Sequence, residues 1–166
     1  MKKRNKKYKP KTIVQNPINY FLGGYKRIQG EELTDLYAKN HMAMVKLCSG
    51  QADRDTWDVL VGMINMSLVL AEQHFDDQYH EILLAARDGL HAIGRRYIDY
   101  GRFVLKGDEM RALNDAMEVH EAQLEALRII DIERAYDEIQ RRIKHNHNTM
   151  NIYVTKKDQP CEAGAQ

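Results

Sequence analysis

The sequence predicts an all-α protein: a helical bundle of about five helices with a long antiparallel hairpin. Apolar residues recur every three or four positions through most of residues 31–146, which is the spacing of one buried helical face. Two successive stretches within residues 78–127 carry heptad seams and are separated by a short turn signal. The 166 residues are 43% apolar and 30% charged, which suits one domain with its own core.

Three parts of the chain differ in composition. Residues 1–30 contain Pro10, Pro17 and the Gly23-Gly24 pair, and they predict an extended basic arm that ends in an aromatic anchor around residues 18–22. Residues 31–146 predict the helical domain. Residues 147–166 lack helical periodicity and predict a mostly irregular C-terminal tail, in which only residues 152–154 favour a short strand.

The first two helices are indicated by apolar stripes and by end signals. The first begins near residue 31 and is expected to end at Ser49-Gly50, because glycine takes the left-handed conformation that closes helices. The second is expected over residues 53–75. Its predicted buried stripe consists of Trp57, Leu60, Val61, Ile64, Leu68, Ala71 and Phe75.

The third and fourth helices are predicted over residues 78–106 and 110–127, with Gly107 in the turn between them. Such a short turn predicts an antiparallel hairpin, and we expect it to project and to form a symmetric homodimer. His120 occupies a seam position, where a polar residue fixes register and makes association sensitive to acid. The expected oligomer seam consists of Leu113, Met117, His120 and Leu124.

The seam changes phase after residue 127. Its next positions would be Asp131 and Arg134, both charged, whereas Ile132, Tyr136 and later apolar residues define a phase shifted by one residue. We therefore expect a break or kink at residues 129–131, followed by a fifth helix.

Charge is distributed unevenly along the chain. The first eleven residues hold seven basic and no acidic groups, so the remainder holds 18 basic and 24 acidic groups. A basic arm on an acidic body predicts an interaction tail that binds an acidic protein surface, or nucleic acid weakly and nonspecifically. The arm cations are Lys2, Lys3, Arg4, Lys6, Lys7, Lys9 and Lys11.

The cellular setting follows from what the sequence lacks. No apolar stretch approaches the roughly 20 residues that span a bilayer, and no apolar region follows the charged start. Cys48 and Cys161 are too few for a disulfide framework. We expect no membrane partner and a cytoplasmic location in a host cell.

The motifs that suggest catalysis do not meet their geometric requirements. His80 and His120 each precede a glutamate, as in the helical zinc-protease motif, but leucine stands where the second histidine should follow. Glu72 and Glu118 precede histidines by two residues, whereas a di-iron helix needs a spacing of three. We expect no enzyme, no bound metal and no cofactor.

One stretch combines arginine with aromatic residues, "GRRYIDYGRF" at positions 94–103. This mixture suits partner recognition or base stacking. In the alternative reading, Tyr97 and Tyr100 are seam residues and the arginines only solvate the outer face. The predicted partner-binding residues are Arg95, Arg96, Tyr97, Tyr100, Arg102 and Phe103.

The stretch "KKRNKKYKPK", the Asn16-Pro17 pair and "FVLKGDEMRALNDAMEVHEAQLEAL" at positions 103–127 resemble a set of small, uncharacterised helical proteins of tailed bacteriophages and prophages. The resemblance covers most of the chain and carries no catalytic motif. It implies a protein that binds and blocks a host or defence-system macromolecule, for example an anti-CRISPR-like inhibitor. The alternative is a nucleic-acid-binding accessory protein that uses the basic arm and the arginine-tyrosine stretch.

Overall fold

The structure, a computed structural model, describes residues 24–27, 30–75 and 79–145, and it confirms the all-α class. Residues 1–23 of the predicted arm, which hold its seven cations and the aromatic anchor, lie outside the described residues, as do the proposed strand at 152–154 and the C-terminal tail. Within the described residues, the extended backbone forms one isolated antiparallel bridge, between Arg27 and Arg128. Five helices lie in full within these ranges: α1 (Glu31–Cys48), α2 (Arg54–His74), α3 (His80–Tyr100), α4 (Gly107–Ala126) and α5 (Ile129–Lys144).

Helix α2 is the centre of the bundle and packs against all four other helices. Its apolar surface is wider than the single stripe predicted from sequence, because Met63, Val69 and Leu70 are also buried. The Asp53 carboxylate caps its start and accepts a hydrogen bond of 2.7 Å from the backbone N–H of Thr56. A helix that is apolar on more than one face is stable only when other helices surround it.

Helices α3 and α4 form the predicted antiparallel hairpin, but α3 is shorter than expected. It ends at Tyr100 because Gly101 adopts φ 70°, and the Gly101 N–H donates to the Tyr97 carbonyl at 2.8 Å. The chain then leaves the helix, so Val104 continues no helical seam. The predicted extension to residue 106 is wrong.

The predicted oligomer seam lies inside the single chain. Because α2 packs against both arms of the hairpin, it covers this face of α4, and the hairpin does not project. The four seam residues are therefore unable to form an interface between two copies in this fold. The four seam residues are all buried within the chain: Leu113, Met117, His120 and Leu124.

The predicted break before the fifth helix is confirmed, slightly earlier than expected, at Leu127 and Arg128. Both residues have extended backbones, and α5 starts at Ile129, whose N–H donates to the Lys26 carbonyl at 2.9 Å. Asp131 is buried in the first turn and accepts hydrogen bonds from Arg128 Nε at 2.7 Å and Nη2 at 3.0 Å. These hydrogen bonds lower the pKa of the Asp131 carboxyl.

None of the helices in the described ranges combines the length and the apolarity that crossing a bilayer requires.

Candidate functional site

The predicted partner-binding stretch lies at the end of α3 and divides into a buried and an exposed layer. The buried layer consists of Phe103 and of Arg96, which is half-buried. The exposed layer, which we call the Arg–Tyr surface, consists of Arg95, Tyr97, Tyr100 and Arg102.

Phe103 is a core residue and not a partner-contacting one. Its ring stacks on Tyr97, with centroids 4.2 Å apart and an interplanar angle of 8°. It also stacks on the buried Trp57 at 6.3 Å and 18°. The reason is the early end of α3: after Gly101 the chain turns back and directs Phe103 into the core.

Arg96 also has a structural role. Its Nε donates to the Val104 carbonyl at 2.9 Å, and its Nη2 donates to the Glu109 carboxylate. The two side chains are only 16% and 13% exposed. Glu109 also accepts a hydrogen bond from the Lys106 N–H at 2.9 Å. Arg96 thus connects the end of α3 to the start of α4, and its hydrogen bonds within the chain give it a structural role; its predicted contact with a partner stays a prediction.

The Arg–Tyr surface remains open to solvent. Tyr100 is 70% exposed and Tyr97 is 39% exposed, whereas the heptad pattern favoured burial of both. Arg95 and Arg102 are exposed beside them in sequence. Because Tyr97 rests on Phe103 and the turn is held by Arg96, a partner would meet side chains on a fixed backbone. Binding to such a surface costs little conformational entropy.

A polar cleft of about 380 Å³ between α2, α3 and α5 contains His80 and His91. Its charged groups neutralise each other, since Arg142 bonds the Glu72 carboxylate at 2.6 Å and Arg87 bonds Asp88 at 2.8 Å. Burial, followed by the Arg87 charge, lowers the pKa of His91.

In the described part of the chain, no three metal-ligating side chains come together.

The acidic strip on α4, which consists of Glu118, Glu121 and Glu125, is partly engaged by α1. His41 Nε2 lies 2.8 Å from the Glu121 carboxylate, and the Tyr37 hydroxyl donates to the Glu121 carbonyl at 3.1 Å. Burial and the Glu125 charge raise the pKa of Tyr37 to about 12. Sequence reasoning missed α1 as the neighbour of this strip, because Tyr37 and Glu121 are 84 positions apart.

His120 is buried as its seam position predicted, and its partner is Ser67 of α2. The ring Nδ1 lies 2.8 Å from Ser67 Oγ, which also lies 3.1 Å from the Met63 carbonyl. Because a hydroxyl donates only one proton, the arrangement that satisfies both contacts has Ser67 donating to Met63 and His120 Nδ1–H donating to Ser67. Burial lowers the pKa of His120 from 6.5 to about 4, so the ring is neutral at physiological pH.

The whole chain, residues 1–166, has no detected similarity to known proteins. No protein-family model matches it, and no curated protein or solved structure shows significant similarity to it.

Proposed function

We propose that this chain is a non-enzymatic binding protein that attaches through the Arg–Tyr surface to an acidic face of a macromolecular partner and occludes that face. The observation that carries the proposal is the exposure of Tyr97 and Tyr100 beside Arg95 and Arg102 on a braced helix end. Tyrosine and arginine are the residue types most enriched among the energetically dominant contacts of protein interfaces.

Charge supports an acidic partner. Arg95 and Arg102 take part in no ion pair that the structure places among the described residues, whereas Arg96 is neutralised by Glu109. The guanidinium N–H groups of these two arginines, next to tyrosines, favour hydrogen bonds to carboxylates on the partner. Complementary charge also raises the rate at which two proteins associate. The resemblance to phage and prophage proteins supports a host or defence-system protein as the partner, such as a CRISPR component, in the host cytoplasm.

Affinity capture from bacterial lysate tests the proposal when matched variants are compared. The full chain, Tyr100→Ala and Arg102→Glu are immobilised separately, with Tyr136→Ala as the control because Tyr136 is an exposed tyrosine on a different helix, α5. We expect the full chain and the control to enrich one protein complex after nuclease treatment, and the two surface variants to lose it. Equal enrichment by all four proteins would contradict the assignment of the surface.

A nucleic-acid-binding accessory role is the second candidate, and the same arginine-aromatic combination favours it, since bases stack on tyrosine and arginine. In that case the captured material would be released by nuclease. The seven arm cations would add a sequence-independent attraction to phosphates.

The symmetric homodimer remains a prediction, and it requires surfaces other than the four buried seam residues. Light scattering of the full chain tests it. A particle mass near twice the chain mass of 19.4 kDa supports the dimer. A mass near that of one chain at all practical concentrations contradicts it.

A further inference from the structure

A shallow groove of about 510 Å³ lies between α1 and α4, and we call it the α1–α4 groove. On its α1 side, Val45 is 61% exposed, and Met42, three residues earlier on the same helix, is 58% exposed. Soluble proteins rarely leave grouped apolar side chains in water, so such a patch indicates a contact surface. The groove is lined mainly by His41, Met44, Val45, Cys48, Asn114 and Met117.

The acidic strip of α4 continues this groove. Asn114 lines the groove, and the Glu121 carboxylate lies 2.8 Å from His41, which also lines it. The face from Asn114 to Glu125 is about 17 Å long, which is three helical turns. A helix lying along α4 could therefore contact the groove and the strip together. Four side chains recur here at spacings of four, three and four, and so share one helical face: Asn114, Glu118, Glu121 and Glu125.

The charge of the strip is not balanced within the described part of the chain. Glu118 and Glu125 take part in no ion pair there. The Tyr37 hydroxyl, 3.4 Å from the Glu125 carboxylate, is neutral at physiological pH. Arg128, the next cation along the chain, is bonded to Asp131. An occupant of the groove that brings positive charge to these carboxylates is therefore favoured.

We infer that the α1–α4 groove binds a cationic amphipathic helix of a partner protein. An apolar side chain of that helix enters the groove beside Val45, and its lysines or arginines meet Glu118 and Glu125. The thioethers of Met44 and Met117 let the groove adapt to the shape of the apolar side chain.

A second copy of this chain is disfavoured as the occupant, because it would bring a second acidic strip to the interface. The α1–α4 groove shares no residue with the Arg–Tyr surface, and this inference goes beyond the proposed function.

Fluorescence anisotropy with a labelled synthetic peptide tests the inference. The peptide consists of about 14 leucines and lysines, with leucine at every third or fourth position so that one helical face is apolar. One control peptide has glutamate in place of lysine, and another has the same composition without the helical spacing. We expect the full chain to bind the first peptide saturably with a dissociation constant of about 10–100 μM. Each control should bind at least about tenfold more weakly.

Variants at exposed positions assign the binding to this groove. Val45→Gln removes apolar surface and should weaken binding about three- to tenfold. The double variant Glu118→Gln and Glu125→Gln should weaken it by a similar factor and reduce its dependence on salt. Ile82→Gln and Glu81→Gln are the matched controls on α3 and should bind as the full chain does. Circular dichroism checks that each variant is folded.

Methyl spectra of the full chain with labelled methionines locate the peptide independently of any substitution. The methyl resonances of Met44 and Met117 should shift on binding. Those of Met63 and Met66 should not, because these residues line a different groove, which also involves α5.

Four results would overturn the inference. The first is the absence of saturable binding, and the second is equal affinity for the lysine and glutamate peptides. The third is a set of methyl shifts confined to Met63 and Met66. The fourth is a dimer in light scattering of the full chain that Val45→Gln dissociates, because the groove would then be occupied by a second copy.

Discussion

At the scale of single residues, His120 makes stability depend on pH. Its pKa is about 4 in the folded chain and 6.5 as a free side chain, so below pH 6.5 the unfolded state binds a proton that the folded state excludes. The stability contributed by the neutral ring is complete above pH 6.5 and is lost as the pH falls towards 4. At pH 5 the loss is about 2 kcal/mol.

We predict that His120→Leu flattens the fall of the melting temperature between about pH 7 and 5. At neutral pH, leucine adds apolar packing but also removes the hydrogen bond between His120 and Ser67, which has a net value of about 1 kcal/mol. The increase in melting temperature at neutral pH is therefore smaller than apolar packing alone would give. Thermal melts at both pH values measure this, with exposed His145→Leu as the control. An unchanged pH profile would mean that His120 titrates normally in the folded protein.

Arg96 supplies a second prediction at this scale. Lysine keeps the charge but cannot reproduce the fork that reaches both Val104 and Glu109, so Arg96→Lys should lower the free energy of unfolding by about 1–3 kcal/mol. The neighbouring Arg95 is exposed, and Arg95→Lys should change the free energy of unfolding by less than about 0.5 kcal/mol. Urea unfolding distinguishes the two. Equal effects would show that the contact with Glu109 contributes no stability.

At the scale of the element, Gly62 weakens α2. Because a Cβ at this position meets open space, Gly62→Ala should stabilise the protein by about 0.5–1 kcal/mol through helix propensity and a less flexible unfolded chain. Gly101→Ala is the matched control, since Gly101 has φ 70° and a side chain there should destabilise the protein. Thermal unfolding of both variants tests this pair. A lower melting temperature for Gly62→Ala would contradict the claim that a Cβ at this position meets no neighbouring atom.

At the scale of the whole molecule, the basic arm should be separable from the bundle. Deleting residues 1–11 removes seven cations and should leave helix content and melting temperature nearly unchanged, while lowering affinity for an acidic partner surface. Circular dichroism and binding to the captured partner measure these effects.

The salt dependence of DNA binding tests how the arm is used. Engagement of all seven cations would give a log-log slope of about −5 to −6. We expect about −3 or shallower, because the acidic body repels a long duplex. A sequence-selective complex of nanomolar affinity near 150 mM salt, lost on deletion of the arm, would instead favour the nucleic-acid function.

The sequence by itself determined the class of the fold and most element positions, because helix formation depends on spacing within a few residues. The apolar periodicity and the closing signal at Ser49-Gly50 predicted α1 and α2 closely, and the phase shift after Leu127 predicted the break before α5. The same local spacing placed the arginine-tyrosine stretch within the third helix, and the structure places it at the end of α3. The predicted third helix was too long because the heptad spacing of apolar residues continues past Gly101. In the structure, the left-handed conformation of Gly101 ends α3.

Only the tertiary structure decided which apolar face packs against which helix, and which of the predicted site residues are exposed to solvent. The hydrogen bond between Ser67 and His120 joins residues 53 positions apart, and no spacing rule connects them. Burial of the α4 seam depends on α2 lying across the hairpin, so the sequence showed an apolar seam but not what covers it. At the candidate site, Phe103 is buried and Tyr100 is exposed because the chain reverses after Gly101. Such contacts depend on how whole helices pack, and periodicity along one helix carries no information about that packing.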